Sequence, residues 1–170
     1  MTNYLLQEYC FKLKLIGIYQ IVGGLAGLGL TTWLITMLLP MPFIIACVII
    51  VAIGFFTFSI SCGLGLWFKK KIAINLSIGL HLMQIITFTL FGCSFKSLSG
   101  LGVFLNFNFP NNLQIQLSEP LFRFTYLADP TEKMVGINLV SIIVVFFIVN
   151  LKKKINGLLN NQNEKLESEM

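Results

Sequence analysis

Charged residues are missing from three long stretches of this chain, and this limits its fold more than any other feature. No Asp, Glu, Lys or Arg occurs in residues 15–68, 72–95 or 134–151. Apolar runs of about 18 residues or more are typical of transmembrane helices. The first stretch is too long for one crossing, and the two prolines of the segment LPMP at residues 39–42 divide it. The sequence therefore predicts four membrane spans, at residues 15–38, 43–68, 72–92 and 134–151.

The predicted fold class is an all-α membrane protein. Its four transmembrane helices form an up-down bundle, with a small extracytoplasmic β-hairpin or three-stranded meander between helices 3 and 4. Residues 1–14 are expected to be a cytoplasmic or interfacial helix, 93–133 the extracytoplasmic loop, and 152–170 a polar cytoplasmic tail.

Lysines are concentrated in short segments that fall on one side of a four-span arrangement. Cytoplasmic loops carry an excess of Lys and Arg, so both termini are predicted to be cytoplasmic, in a bacterial plasma membrane. The net charge of +5 is then a topology signal, and no nucleic-acid partner is expected. The eight lysines are Lys12, Lys14, Lys69, Lys70, Lys71, Lys152, Lys153 and Lys154.

The loop contains the one strongly β-patterned segment, GVFLNFNFPNNLQIQLSEPLFRFTY, at residues 102–126. A turn at residues 110–112 pairs residues 103–109 with 113–117, and 122–127 is a candidate third strand beside them. Because a shift by one residue would mix the two faces, the alternation specifies which side chains share a face. The apolar face is expected to be buried on the ends of the helices; it comprises Leu105, Phe107, Phe109, Leu113, Ile115, Leu117, Phe122 and Phe124. The polar face is expected to point outward towards a protein partner; it comprises Asn106, Asn108, Gln114, Gln116, Arg123 and Thr125.

The third predicted span is the most polar of the four. Ser77, His81 and Gln84 share one helical face, and Gln20 in the first span is the nearest candidate partner for it. This intramembrane cluster is either structural, with a neutral and hydrogen-bonded His81, or a proton or ion relay. No acidic residue lies within any predicted span to assist a relay, so the sequence favours the structural role.

Several classes of protein are excluded by the chemistry that the sequence lacks. The layout resembles the four-span proteins that pass electrons from disulfide catalysts to quinones, and also the tetraspanins. The redox cysteine pairs of the former and the Cys-Cys-Gly signature of the latter are absent. One His and four scattered Cys provide neither a zinc site nor a disulfide framework. We expect no catalytic activity, no cofactor and no metal.

Two functions of different classes remain open. The first is a non-catalytic envelope protein that docks, anchors or assists a partner through its extracytoplasmic β-structure. The second is a homo-oligomeric channel or small transporter that uses the polar face of the third span. Gly23, Gly27 and Thr31 lie on one face of the first span, which indicates close helix packing within the chain or between two copies of it.

Overall fold

The computed structural model describes residues 2–37, 42–90, 93–109, 112–126 and 133–168. Four helices and six strands lie in this part of the chain. The helices are α1 (Thr2–Met37), α2 (Phe43–Trp67), α3 (Lys71–Met83) and α4 (Leu139–Ser168). The strands are β1 (Ile86–Leu90), β2 (Cys93–Leu98), β3 (Gly102–Asn108), β4 (Asn112–Ser118), β5 (Leu121–Tyr126) and β6 (Met134–Asn138).

The prediction of a four-helix transmembrane bundle is wrong. Among the described residues, two helices are long and apolar enough to cross a membrane, namely α1 over Gln7–Met37 and α2 over its whole length. The six strands form one antiparallel sheet in the order β4-β3-β6-β1-β2-β5. The fold therefore combines helices with a sheet that is much larger than the predicted hairpin.

The third predicted span fails because a short helix and a strand share one uncharged stretch. Helix α3 ends at Met83 after 13 residues, and β1 begins at Ile86 with the sequence ITFTL. Those residues are β-branched, aromatic and alternating, which favours a strand. An absence of charge does not separate a buried helix from a buried strand, so hydropathy alone merged the two.

The fourth predicted span contains a similar junction. Strand β6 leads directly into α4, and Asn138 stands at the boundary. Its side-chain oxygen accepts hydrogen bonds from the backbone N–H groups of Val140 (3.1 Å) and Ser141 (3.4 Å). Asn is a favoured residue for capping the first turn of a helix. The residues before it remain free to pair as a strand, with β1 on one side and β3 on the other.

The two strands predicted to be neighbours in a meander, β4 and β5, lie at opposite edges of the sheet. Strands β1 and β6, both concealed in predicted helices, occupy its centre. Strands β3 and β4 do pair, but Phe107 is opposite Leu113 rather than Ile115. This shift of two residues keeps every side chain on its predicted face, so the alternation cannot distinguish the two registers. Residues 110 and 111 of the predicted turn, and residue 127, lie outside the described residues.

The sheet contacts α1 through the turn at residues 99–101, which we call the joint. The Tyr19 hydroxyl in α1 donates a 2.6 Å hydrogen bond to the Leu101 carbonyl. Gly100 has a φ of +116°, which disfavours other residues there. A Cβ added to Gly23 would lie 2.5 Å from the Gly100 nitrogen. The joint therefore rests directly on the backbone of α1, well inside that helix.

Small residues also bring the two long helices together. A Cβ on Gly17 of α1 would lie 2.7 Å from the Gly63 carbonyl oxygen of α2, and a Cβ on Gly27 would overlap the Phe56 ring. Thr31 is buried and donates a hydrogen bond to the Gly27 carbonyl. The small residues of α1 thus pack within the chain.

Candidate functional site

The sheet curls so strongly that strands far apart in its order approach each other. Lys96 of β2 donates a 3.4 Å hydrogen bond to the side-chain oxygen of Gln116 of β4. Three strands lie between β2 and β4, so a flat sheet would hold them roughly 19 Å apart at about 4.8 Å per step. Two side chains cannot bridge that distance, and the sheet must therefore be concave on the face that carries Lys96 and Gln116.

The convex face is apolar and largely open. The register aligns four aliphatic side chains across four strands of this face: Ile86, Ile137, Leu105 and Ile115. Ile115 is 73% exposed and Leu117 is 79% exposed. The prediction that this face is buried on the helices is wrong for most of its residues. Phe122 does pack on Phe55 of α2, with ring centroids 5.5 Å apart.

The concave face is polar and encloses an open cavity of about 1180 Å³, which we call the trough. Strands β4 and β5, the unpaired edges of the sheet, both border it. Apolar side chains, among them Leu101, Phe109 and Leu117, stand at its border. Its uncharged polar lining comprises Thr87, Thr89, Ser94, Asn108, Gln116 and Ser118.

Positive charge dominates the trough in the part of the chain that the structure describes. Lys96, Arg123 and Lys133 line it, against one carboxylate from Glu119. Lys96 is only 8% exposed, and its ammonium lies 4.2 Å from the centroid of the Phe104 ring. Arg123 on the paired strand is directly opposite Lys96, so a second positive charge lies beside this buried ammonium. Keeping the Lys96 ammonium buried in the trough therefore costs free energy.

Beneath Lys96, an amide pair forms part of the polar face. Asn106 is 3% exposed, and its Nδ2 donates a 3.1 Å hydrogen bond to Gln116 Oε1. That same oxygen accepts the bond from Lys96. Asn106 Oδ1 has no hydrogen-bond partner among the described residues. A Cβ on Gly136 would overlap this oxygen, so glycine in β6 makes the space for it.

The six residues predicted to face a partner are distributed around this concave face rather than on an outer surface. Asn108, Gln116 and Arg123 line the trough, and Asn106 is buried below it. Gln114 is exposed on the same polar side of β4. The side chain of Thr125 lies outside the described residues, although its backbone pairs with Ser94.

Sequence reasoning missed half of the trough because β1 was assigned to a helix. Thr87 and Thr89 were concealed in the third predicted span, and Lys96 was counted only as one charge of a loop. The available signal was the alternation in ITFTL, with its threonines at every second position, and the same spacing of Ser94 and Lys96 in CSFKSL, where only Ser97 is out of phase. That period is typical of a strand with one polar face.

The predicted intramembrane cluster lies among the helices. Gln20 Nε2 and His81 Nε2 are 3.1 Å apart, and Ser77 donates a 3.2 Å hydrogen bond to Gln20 Oε1. All three side chains are at most 1% exposed. Ser59 of α2, which was predicted as a helix-packing residue rather than as a member of this cluster, donates a hydrogen bond to the Gln20 carbonyl. The cluster therefore links α1, α2 and α3.

Gln84, the fourth predicted member, belongs to the joint instead. Its Nε2 donates a 2.8 Å hydrogen bond to Ser99 Oγ. Two buried atoms between the cluster and the joint, His81 Nδ1 and Gln84 Oε1, have no partner among the described residues. Because Gln20 Nε2 can only donate, His81 Nε2 is the acceptor and Nδ1 carries the proton. One unpaired donor and one unpaired acceptor thus remain, on residues three apart in the sequence.

No group of three or more His, Cys, Asp or Glu side chains within the described ranges is arranged to hold a metal ion. Comparisons with protein-family models, with curated proteins and with solved structures found no match to this chain. Function must therefore be argued from the two polar regions themselves.

Proposed function

We propose that this chain is a non-catalytic, multi-pass membrane protein that captures a polar partner molecule in the trough of its sheet. The helices anchor the protein in the bilayer, and the sheet is its binding element, with the trough open to the extracytoplasmic side. The observation that carries the proposal is the inward-facing polar surface, which holds a buried lysine beneath an open cavity of about 1180 Å³.

The lengths of the helices support this arrangement. Helix α2 has 25 residues and is about 37 Å long, enough for a hydrocarbon core of about 30 Å. Helix α3, with 13 residues, is only about 20 Å long. The joint meets α1 at Tyr19 and Gly23, so the sheet begins at a depth where α3 has ended. The sheet would then complete the outer part of the membrane crossing.

The outward apolar face suits such a position. Side chains such as Ile115 and Leu117, which would be unfavourable in water, would contact acyl chains. Open sheet edges are not tolerated in lipid unless they line a water-filled cavity. Both free edges, β4 and β5, border the polar trough, where water can reach their backbone groups.

Cations gather at the opposite end of the helices, which supports cytoplasmic termini. Lys14 lies 5.2 Å from the centroid of the Trp67 ring, and Lys154 lies 5.8 Å from that of Tyr9. Lys152 donates a 2.8 Å hydrogen bond to the side chain of Asn75. Helices α1 and α4 thus present lysines together at the end remote from the sheet, as the positive-inside rule requires of a cytoplasmic side.

Native mass spectrometry of the full-length protein, released from the membrane in lipid nanodiscs, tests the binding role. Ser94→Trp places an indole in the trough, whereas Ile115→Trp adds the same group to the convex face. We expect a small molecule to remain bound to wild type and to Ile115→Trp, and to be lost from Ser94→Trp. Identical bound species in all three proteins, or none in wild type, would contradict a binding role for the trough.

A further inference from the structure

The charges in the trough indicate which chemical class of ligand it binds. Lys96 and Arg123 are directly paired across β2 and β5, so two like charges stand side by side on the concave face. Among the described residues, the only ion pair joins Lys12 and Glu8, far from the sheet. Neither Lys96 nor Arg123 is therefore in an ion pair with a described carboxylate, and an anion placed between them would relieve both the repulsion and the cost of burial.

The donors are of the kind that binds oxyanions. Arginine offers a planar fork of N–H groups, and lysine adds a compact charge with three donors. Charge-assisted bonds from such groups to phosphate or carboxylate oxygens are about twice as strong as neutral hydrogen bonds. Hydroxyl groups of Ser94 and Thr89 stand on the same face and are hydrogen-bonded to each other at 3.0 Å.

The border of the trough is apolar where its interior is charged. Leu101 is 66% exposed and Leu117 is still more open, and both line the cavity near the start of β3, whereas Phe109 lines it beyond the other end of that strand. Strands β4 and β5 do not pair, so the wall of the trough is unpaired between them beyond the two residues, 119 and 120, that join their ends. A molecule with a charged head and a hydrocarbon tail could place its head at Lys96 and pass its tail over this border.

We propose that the trough binds an anionic phosphate ester, and that the apolar border selects one attached to a lipid. This inference rests on the proposed binding function and specifies its ligand class. The lipid headgroup and a water-soluble phosphate ester share the same recognition chemistry, so the experiment must separate the two sources.

The experiment uses the purified full-length protein in a nonionic detergent, with binding measured by native mass spectrometry. Phosphatidylglycerol, phosphatidylcholine and water-soluble glycerol phosphate are the probes. The trough variant is Lys96→Met with Arg123→Gln. The control, Lys70→Gln with Lys153→Gln, removes the same charge from exposed positions at the cytoplasmic end.

We expect phosphatidylglycerol to bind the trough variant at least about tenfold more weakly than wild type, because bonds to charged groups are lost. Its affinity for the control variant should equal its affinity for wild type. Phosphatidylcholine should bind weakly to every form. Equal weakening in both double variants, or none in the trough variant, would overturn the proposal. Binding of glycerol phosphate as tight as that of phosphatidylglycerol would overturn the selection of a lipid.

Two further results distinguish a loss of phosphate binding from misfolding, and distinguish failure of this inference from failure of the proposed binding function. Arg123→Gln alone changes an exposed side chain and should weaken phosphatidylglycerol binding in a protein whose thermal midpoint is that of wild type. Unchanged binding in that folded variant counts against the inference. If wild type ignores phosphatidylglycerol but Ser94→Trp still loses a bound molecule, the ligand is not anionic, and the binding function itself survives.

Discussion

Two polar regions lie close together in this molecule and differ in how their groups are satisfied. The cluster of Gln20, Ser77 and His81 is sealed among the helices, and its members bond chiefly to one another. The trough around Lys96 is open, positively charged and without a described carboxylate at its centre. Buried polarity that is internally paired positions helices, whereas charge held beside an open cavity is free to bind something else. The difference separates a structural region from a candidate site.

The joint lies between the two regions, and altering it should have the largest effect. Gly23→Ala places a methyl group 2.5 Å from the backbone nitrogen of Gly100, so α1 and the sheet must move apart. We expect a loss of about 1–3 kcal/mol in the free energy of unfolding, typical of overpacking. Thermal or denaturant unfolding in detergent measures it.

Gly29→Ala is the matched control, because nothing lies within 4 Å of a Cβ at that position of the same helix. Alanine should there be neutral or should stabilise α1 by up to about 1 kcal/mol. Equal destabilisation by the two changes would mean that the joint does not rest on α1 as described.

Lysine substitutions on the two faces of β4 should give the next largest difference in stability. Ile115→Lys introduces a charge on the convex face, and Gln114→Lys introduces it on the polar side at the neighbouring position. If the convex face meets lipid, Ile115→Lys should cost about 1–3 kcal/mol, less than the full midplane value. Gln114→Lys should be nearly neutral. Folded yield and unfolding in liposomes compare them, and a larger penalty at residue 114 would reverse our assignment of the faces.

The sequence could predict which residues share a face but not where that face points. The alternation from residue 102 onward correctly grouped Ile115 with Leu105, and Asn106 with Gln114. Strands β1 and β6 were missed because both lie in uncharged stretches of helical length, although the alternation in ITFTL was a signal for β1. Without β1 and β6, the predicted sheet had at most three strands and one apolar face, so that face was expected to be buried on the helices. In a bilayer, apolar side chains can equally well face outward.

The helical cluster was more accessible to sequence reasoning, because it depends only on helical spacing. Residues 77 and 81 are four apart on α3, and Gln20 was the nearest polar side chain in α1. Gln84 lies directly after the last residue of α3, Met83, where helical spacing no longer applies. Its role as a cluster member or a relay stays a prediction; its observed partner is Ser99.

Substitution of His81 tests whether the cluster is structural, with a smaller expected effect. His81→Leu leaves the Gln20 amide without its partner and should cost about 0.6–1.7 kcal/mol, the scale of an interhelical hydrogen bond in membranes. His81→Gln retains an acceptor and should cost less. Neither change should alter ligand binding in the trough. Loss of binding in the folded His81→Gln protein would show that the two regions are not independent.

The central claim is that the sheet turns its apolar face to lipid and its polar face to a water-filled trough. Single tryptophans at positions 115 and 114, introduced by Ile115→Trp and Gln114→Trp in a Trp33→Phe, Trp67→Phe protein, test it in liposomes. Fluorescence at position 115 should be quenched by brominated acyl chains and protected from aqueous iodide, and position 114 should show the opposite. Quenching of position 115 by iodide, with position 114 protected, would contradict the account.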